Sequence, residues 1–290
     1  MKKAHEIVDQ FTRNNRMPGV YHRIRALVAS PDTSLSAYIE TIVAEPELAA
    51  LVVNVAKSSL FNESRKIDTL EQAVSHIGVM QLKDILLCSF SIKAFASIPD
   101  SIVNLPVYWK NSVLSGIIAY FLARRCAAPT SSQYFTLGML HDIGHLVMYS
   151  IIPDQTLEIF AKIKNSKKSV NLIEIEQLGF DYAQVGRDVM AQWSFPESYQ
   201  QVTLNHPNPR NAAQFYFETA IIHIARSICL QGEDAKPTRD NRIQPIAWSL
   251  TNLTPIDIDG VREQALQYID EMLSSLHIPS ASPNKVSQIK

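Results

Sequence analysis

Glycine and cysteine are scarce in this chain, and long uninterrupted apolar runs are missing. Nine glycines in 290 residues, with no sustained two-residue alternation of apolar side chains, argue against a fold built from half-buried strands. The three cysteines, Cys88, Cys126 and Cys229, are far apart and form no Cys-x-x-Cys pair. Each sits in an apolar, helix-like context where a small buried thiol is expected, and the odd count favours a reducing compartment. The longest uncharged apolar run, Ser112 to Ala123, stops at Arg124-Arg125 and is too short to cross a bilayer. The opening Met1-Lys-Lys-Ala-His-Glu lacks the apolar centre of a secretion signal. A soluble, cytoplasmic protein with no membrane partner is therefore expected. Lysine plus arginine number 27 against 28 acidic residues, a net charge of −1. No global basic field favours nucleic acid, and no nucleic-acid partner is expected. Walker, dinucleotide-glycine and Gly-x-Ser-x-Gly patterns are also absent.

What is present reads as helix almost throughout. Pro46 suits the first turn of a helix carrying Leu48, Leu51, Val52 and Val55. Thr69 and Gln72 have capping-box spacing, and Gly78 is placed to end that short helix before another from Met80 to Ala96. Pro106 opens a long helix to Arg125, and Ser131 or Ser132 caps the next, which runs through Leu137, Leu140, His141, Gly144 and Met148. Further helices are expected from Pro153 to Lys164, from Leu172 to Gly179, and from Tyr182 to Trp193 behind an Asp181 N-cap. Two more run from Pro196 toward His206 and from Ala212 to Leu230. Gln231 to Asn241 reads as a polar loop, Asp259 to Leu276 as a last amphipathic helix, and the remaining Ser/Pro/Lys stretch as a frayed tail. The fold class is all-α, a multi-helix bundle with an N-terminal helical lobe.

The chemistry concentrates in Gly138-Met-Leu-His-Asp-Ile-Gly-His145. An adjacent imidazole and carboxylate in an apolar stretch are two ready ligands for a divalent cation. His145 follows His141 by four residues, so both rings can share a helix face, and with Asp142 and His206 they make a conceivable set of four ligands. The simpler reading, with His145 facing solvent or a pocket rim, is favoured. His223 is expected to be a hydrogen-bonded core histidine, and Lys162, Lys164, Lys167 and Lys168 a solvated loop.

The order of motifs resembles the HDOD family, the "HD-related output domain" relatives of HD-type metal phosphohydrolases. The resemblance rests on Met17-Pro-Gly-Val20, Glu45-Pro-Glu-Leu48, Val53 to Ser59, Ile67 to Ala73 with Ile77-Gly78, Trp109-Lys-Asn-Ser112, Leu140-His-Asp-Ile-Gly144, Gly179 to Gly186, Trp193-Ser-Phe-Pro196 and Asn205-His206. It implies an HD-domain-like all-α fold and a bacterial signal-transduction role. It also implies a division into an N-terminal helix at 1–16, an HDOD domain at 17–230 and a loop, helix and tail at 231–290. Within the domain a helical lobe reaches to about 100 and an HD-like lobe covers about 101–230.

The departures from the family pattern carry the functional expectation. An HD hydrolase has a further histidine where this chain resembles it at Asn111, and a final aspartate where this chain has Arg226; other family histidines fall at Tyr182 and Asn205. Arginine cannot ligate a cation and stays charged. At about 4 Å and an effective dielectric near 20, like unit charges repel by roughly 4 kcal/mol. Asn111, His141, Asp142 and Arg226 are thus expected to be a vestigial HD site, with Arg226 paired to Asp142. His145, Tyr182, Asn205 and His206 are expected to line its pocket. No catalytic residue, metal or other cofactor is expected, and the role is regulatory, through a signalling protein or a small ligand such as a cyclic dinucleotide or other phosphate compound. The alternative is a divergent metal-dependent phosphohydrolase acting on a nucleotide or other phosphoester, with His141, Asp142, His145 and His206 as ligands. A third reading has Arg226 gripping a phosphate at the old metal position.

Overall fold

A computed structural model describes residues 2–30, 33–62, 66–163, 166, 168–231 and 242–279. Among these residues there are helices and no strands. The expected loop at Gln231 to Asn241 and the C-terminal tail lie largely outside the described residues, as do Lys164 and Lys167 of the expected lysine loop.

Chain contacts divide the protein into two compact units, Met1–Arg16 with Ser97–Ala265, and Met17–Ala96 with Leu266–Lys290. In the second unit, Pro46–Lys57 begins with proline in its first turn and buries Leu48, Leu51, Val52 and Val55. Leu70–Ala94 begins with the expected Thr69–Gln72 capping box. Gly78 interrupts it at φ 76°, ψ 165°, a backbone conformation that costs other residues steric strain. By length and composition Leu70–Ala94 passes for a membrane span, yet neither part on either side of Gly78 reaches the roughly 20 residues a span needs. Leu82, Ile85, Leu86 and Phe90 bury its inner face as a core helix. The chain's last described helix, Ile269–Ser275, packs on Pro46–Lys57, where Glu271 Oε1 accepts from the Ser59 amide at 2.9 Å.

The first unit is built around Leu105–Arg125, whose N-terminus is capped by the Asn104 side chain. It packs along Ser131–Leu140 and Tyr216–Leu230. Ile143–Ile151 crosses Tyr182–Gln192, which begins, as expected, at an Asp181 cap accepting from the Gln184 amide at 2.9 Å. The N-terminal helix Ala4–Asn14 belongs to this unit. It rests on Ile143–Ile151 and Tyr182–Gln192, and Trp193 Nε1 donates to the Asn15 carbonyl at 2.9 Å.

Three expectations are corrected. The helix through His141 is two helices, Ser131–Leu140 and Ile143–Ile151, with His141-Asp142 as the turn between them. The helix expected from Ala212 begins at Tyr216, after a 3-10 turn at Pro209–Asn211 and Phe215 in the left-handed region at φ 52°. The helix expected over Asp259 to Leu276 is broken into Val261–Leu266 and Ile269–Ser275. Pro245–Thr251 and Pro255–Ile258, both opened by proline, are short helices that apolar periodicity did not reveal.

Gly144 sets the crossing of Ile143–Ile151 over Tyr182–Gln192. A Cβ there would lie 1.9 Å from the Tyr182 carbonyl oxygen and 2.6 Å from the Gly186 nitrogen. Both obstacles are backbone, so relief requires separating the helices. Gly144→Ala is expected to destabilise the fold by about 3 kcal/mol or more. Thermal denaturation reads this directly, and an unchanged Tm would reject the close crossing.

Candidate functional site: a buried His-Asp-His-Arg cluster

The turn at His141-Asp142 lets two neighbouring residues serve one site. On a regular helix adjacent side chains diverge by about 100°, whereas here Asp142, at φ −99° and ψ 11°, leaves the helical path as the N-cap of Ile143–Ile151. His206 stands at the C-terminal end of Glu197–Asn205, and Arg226 lies within Tyr216–Leu230. Three segments of the first unit thus converge on the Asp142 carboxylate.

Both cluster histidines are held from behind by backbone. His141 Nδ1 donates to the Gly138 carbonyl at 2.7 Å and His206 Nδ1 donates to the Thr203 carbonyl at 2.8 Å. Because a carbonyl only accepts, each Nδ1 carries a proton and each Nε2 is turned to the cluster. His141 Nε2 is 3.2 Å from Asp142 Oδ2, and His206 Nε2 is 3.4 Å from Asp142 Oδ1. The two rings meet edge to face at 4.8 Å. Tyr182 Oη donates to His206 Nε2 at 3.0 Å. Arg226 Nε lies 3.7 Å from Asp142 Oδ1, and its guanidinium carbon sits 5.9 Å from the Tyr182 ring centre. The expected Asp142–Arg226 contact is therefore present.

Burial pushes the Asp142 carboxyl up, but neighbouring His141 and Arg226 outweigh it and hold the group well below the usual carboxylate range. His206, fully buried, is pushed down to about 3, chiefly by loss of hydration. His223 is likewise pushed down to about 4 by burial. Its Nδ1 donates to the His206 carbonyl at 2.8 Å and its Nε2 accepts from the Gln244 amide at 3.0 Å. It is a satisfied core histidine.

His145 leaves the cluster. Its Nε2 is 3.2 Å from Glu174 Oε1, and its ring stacks on Tyr182 at 3.9 Å. Burial works against the charged ring, but the Glu174 carboxylate overcomes it and raises the His145 pKa. The conceivable four-ligand set with His145 is thus corrected to three donors, and His145 sits in a buried pair rather than at a rim. Asn205, buried beside His206, donates its Nδ2 to the Gln201 carbonyl of its own helix at 2.8 Å. Asn111 is exposed, and its carbonyl accepts from Cys229 Sγ at 3.4 Å. Tyr182 joins the cluster through its hydroxyl.

Glu174 was not anticipated. Besides His145 it holds the Tyr182 amide, which donates to Oε2 at 2.9 Å, so one carboxylate anchors both partners of the stacked pair. A signal existed, because Glu174 shares the buried face of Val170–Leu178 with Leu178, where an acid is out of place unless paired. Tyr149 stacks on His145, and Tyr108 lies within the field of Asp142. Burial and the Asp142 charge raise both hydroxyls far above their ordinary range.

His141, Asp142 and His206 offer ligand atoms that all lie within 4.8 Å of one another, a spacing suited to a cation. The charges are less suited. Asp142 is the single carboxylate among these donors, and the Arg226 guanidinium already stands beside it.

Two measurements test this arrangement. With His206 near 3 and His223 near 4 in the fold, against about 6.5 in the unfolded chain, the unfolded state binds more protons between these values. The stability from the neutral rings is present above about pH 6.5 and is lost as pH falls, by about 2 kcal/mol per histidine at pH 5. His145 opposes this, its contribution being present below about pH 6.5 and lost as pH rises through its raised value. Urea unfolding is therefore expected to show markedly lower stability at pH 5 than at pH 7, and a flat profile would reject the neutral buried rings. Glu174→Ala, which strands His145, is expected to cost about 3 kcal/mol, and an NMR titration should show the His145 pKa falling. A stable variant with His145 unmoved would reject the pairing.

The same architecture occurs in known structures. A provisionally named phosphohydrolase from Shewanella amazonensis SB2B superposes with a TM-score of 0.73 at 23% identity, covering 93% of this chain and 97% of that one. An HDOD domain protein of unknown function from Geobacter sulfurreducens gives 0.71 at 19%, covering 93% and 96%. A provisionally named signal transduction protein from Marinobacter aquaeolei VT8 gives 0.72 at 18%, covering 94% of this chain and 64% of that one. In sequence, an uncharacterized protein from Treponema pallidum (strain Nichols) is 20% identical over 216 residues, which is 74% of this chain but only 42% of that protein. The HDOD domain description matches residues 15–209, and the chain belongs to the HDOD domain family.

Proposed function

We propose that this protein is a non-catalytic regulatory module in which an internal ion pair replaces the HD metal centre, and that it acts by binding a signalling protein or a small ligand. The observation that carries this reading is the approach of Arg226 to Asp142 at 3.7 Å. A hydrolase needs carboxylates to compensate its ion and an open position for water whose pKa the ion lowers. Here the carboxylate is already balanced by a permanent cation, and His206 is neutral. A dication would bring two further positive charges beside the guanidinium, opposed by roughly 4 kcal/mol per unit charge at about 4 Å and an effective dielectric near 20. The residues present do not fit a catalytic dication. The same pairing weighs against Arg226 as a phosphate anchor, since the phosphate would have to displace Asp142 or lie beside a second anion.

One observation favours the rival reading, a metal-dependent phosphohydrolase. It is the convergence of three donor atoms from His141, Asp142 and His206 within 4.8 Å. Plasma mass spectrometry on protein equilibrated with manganese, nickel or magnesium separates the two. The regulatory reading expects no stoichiometric metal and no turnover of phosphomonoesters, phosphodiesters or nucleotides. Bound metal that disappears in Asp142→Ala, or turnover abolished by His141→Ala in folded protein, would overturn it. Arg226→Asp, which restores the acidic ligand, is expected to raise divalent-cation affinity tenfold or more, since about 1.4 kcal/mol of relieved repulsion suffices.

A further inference from the structure

In the second unit, the helix Ile269–Ser275 is only 7 residues long. Helices shorter than about 12 residues are marginal in water on their own, so this one owes its form to the surface it covers. That surface belongs to Pro46–Lys57 and the turn after it. Ile269, Met272, Leu273 and Leu276 fall at i, i+3, i+4 and i+7 and are all buried, the pattern of a helix laid by its apolar face into a groove. Two polar contacts complete the seat. Both carboxylate oxygens of Glu271 accept from Ser59, one from the amide at 2.9 Å and the other from the hydroxyl. Asn54 Nδ2 meets His277 Nε2 at 3.3 Å.

The seat also carries two costs. Glu271 brings a negative charge to the C-terminal end of Pro46–Lys57, where the helix dipole disfavours anions, and among the described residues no cation pairs with it. His277 turns the chain at φ 56°, a left-handed conformation that strains a residue bearing a Cβ. The contact therefore combines a close fit with a bias toward opening. We propose that the face of Pro46–Lys57 is a docking site for an amphipathic helix of a partner protein, closed in cis by Ile269–Ser275. The partner helix repeats the chemistry of the resident one, with apolar residues at i, i+3, i+4 and i+7 and an acid at i+2 to reach Ser59. Such a partner presupposes the regulatory role proposed above. Helix exchange and metal loading are read by different measurements, so failure of one is distinguishable from failure of the other.

A labelled peptide of residues 266–279 serves as the partner mimic, followed by fluorescence anisotropy against the full-length chain. A tethered helix competes at an effective concentration on the order of millimolar, so the wild-type chain is expected to bind the peptide weakly. Full-length Leu273→Asp, which unseats the resident helix, is expected to bind it at least about tenfold more tightly, and the same substitution in the peptide to abolish binding. Full-length Glu271→Ala, a milder release, is expected to gain affinity at least about threefold. Hydrogen exchange on the wild-type chain gives a second reading, with amides of 272–276 expected to exchange at least about a hundredfold faster than those of 51–55. Peptide affinity unchanged in both variants, or both helices exchanging at one rate, overturns the proposal. So does a Leu273→Asp chain that loses its circular dichroism signal, because the resident helix would then be part of the core and not a removable occupant.

Discussion

The arrangement of the first unit turns on the environment of one carboxylate. Asp142 is set among apolar helices, where an ionised group is costly unless charge and hydrogen bonding compensate it. The Tyr216–Leu230 helix brings the compensating guanidinium. The turn and the end of Glu197–Asn205 set His141 and His206 beside the carboxylate, and the Tyr182 hydroxyl occupies the inner nitrogen of His206. The balance of these neighbours against desolvation keeps the group ionised.

A second layer fixes the first. The carbonyls of Gly138 and Thr203 hold the outer nitrogens of the two rings, so each presents the same nitrogen to the carboxylate. His223 binds the backbone of His206 from the next helix. Glu174 seats the Tyr182 amide and His145 together, and the Tyr182 hydroxyl reaches His206. Such outer contacts are what metal centres use to orient their ligands. Here they surround a carboxylate in contact with an arginine.

Much of this was legible before any coordinates. Caps and breakers marked helix ends at Thr69, Gly78, Asp181 and Gly179, because those signals act on the backbone within one turn. The match of Arg226 to an acidic family position pointed to its contact with Asp142. Other features were hidden. His141-Asp142 reads as helix because the run around it is apolar and carries no breaker, and nothing local reveals that Gly144 must approach Tyr182 closely. His145 looked like a partner of His141 by its four-residue spacing, but the intervening turn removes that relation and Glu174 claims the ring. Asn205 and Asn111 stand in the right order along the chain, yet one bonds its own helix and the other faces solvent.

By itself, the sequence determined the helical class, many helix boundaries and the family. All of these depend on residue type or on neighbours within a few positions. Only the tertiary structure decided which histidines reach Asp142, that Tyr182 joins the cluster while Glu174 holds His145, and that Ala4–Asn14 packs with the unit holding the site. Those outcomes depend on helix crossings between residues tens of positions apart, and a crossing is set by the shape of both surfaces at once. Side-chain periodicity names the face a helix buries; it does not name the partner that buries it.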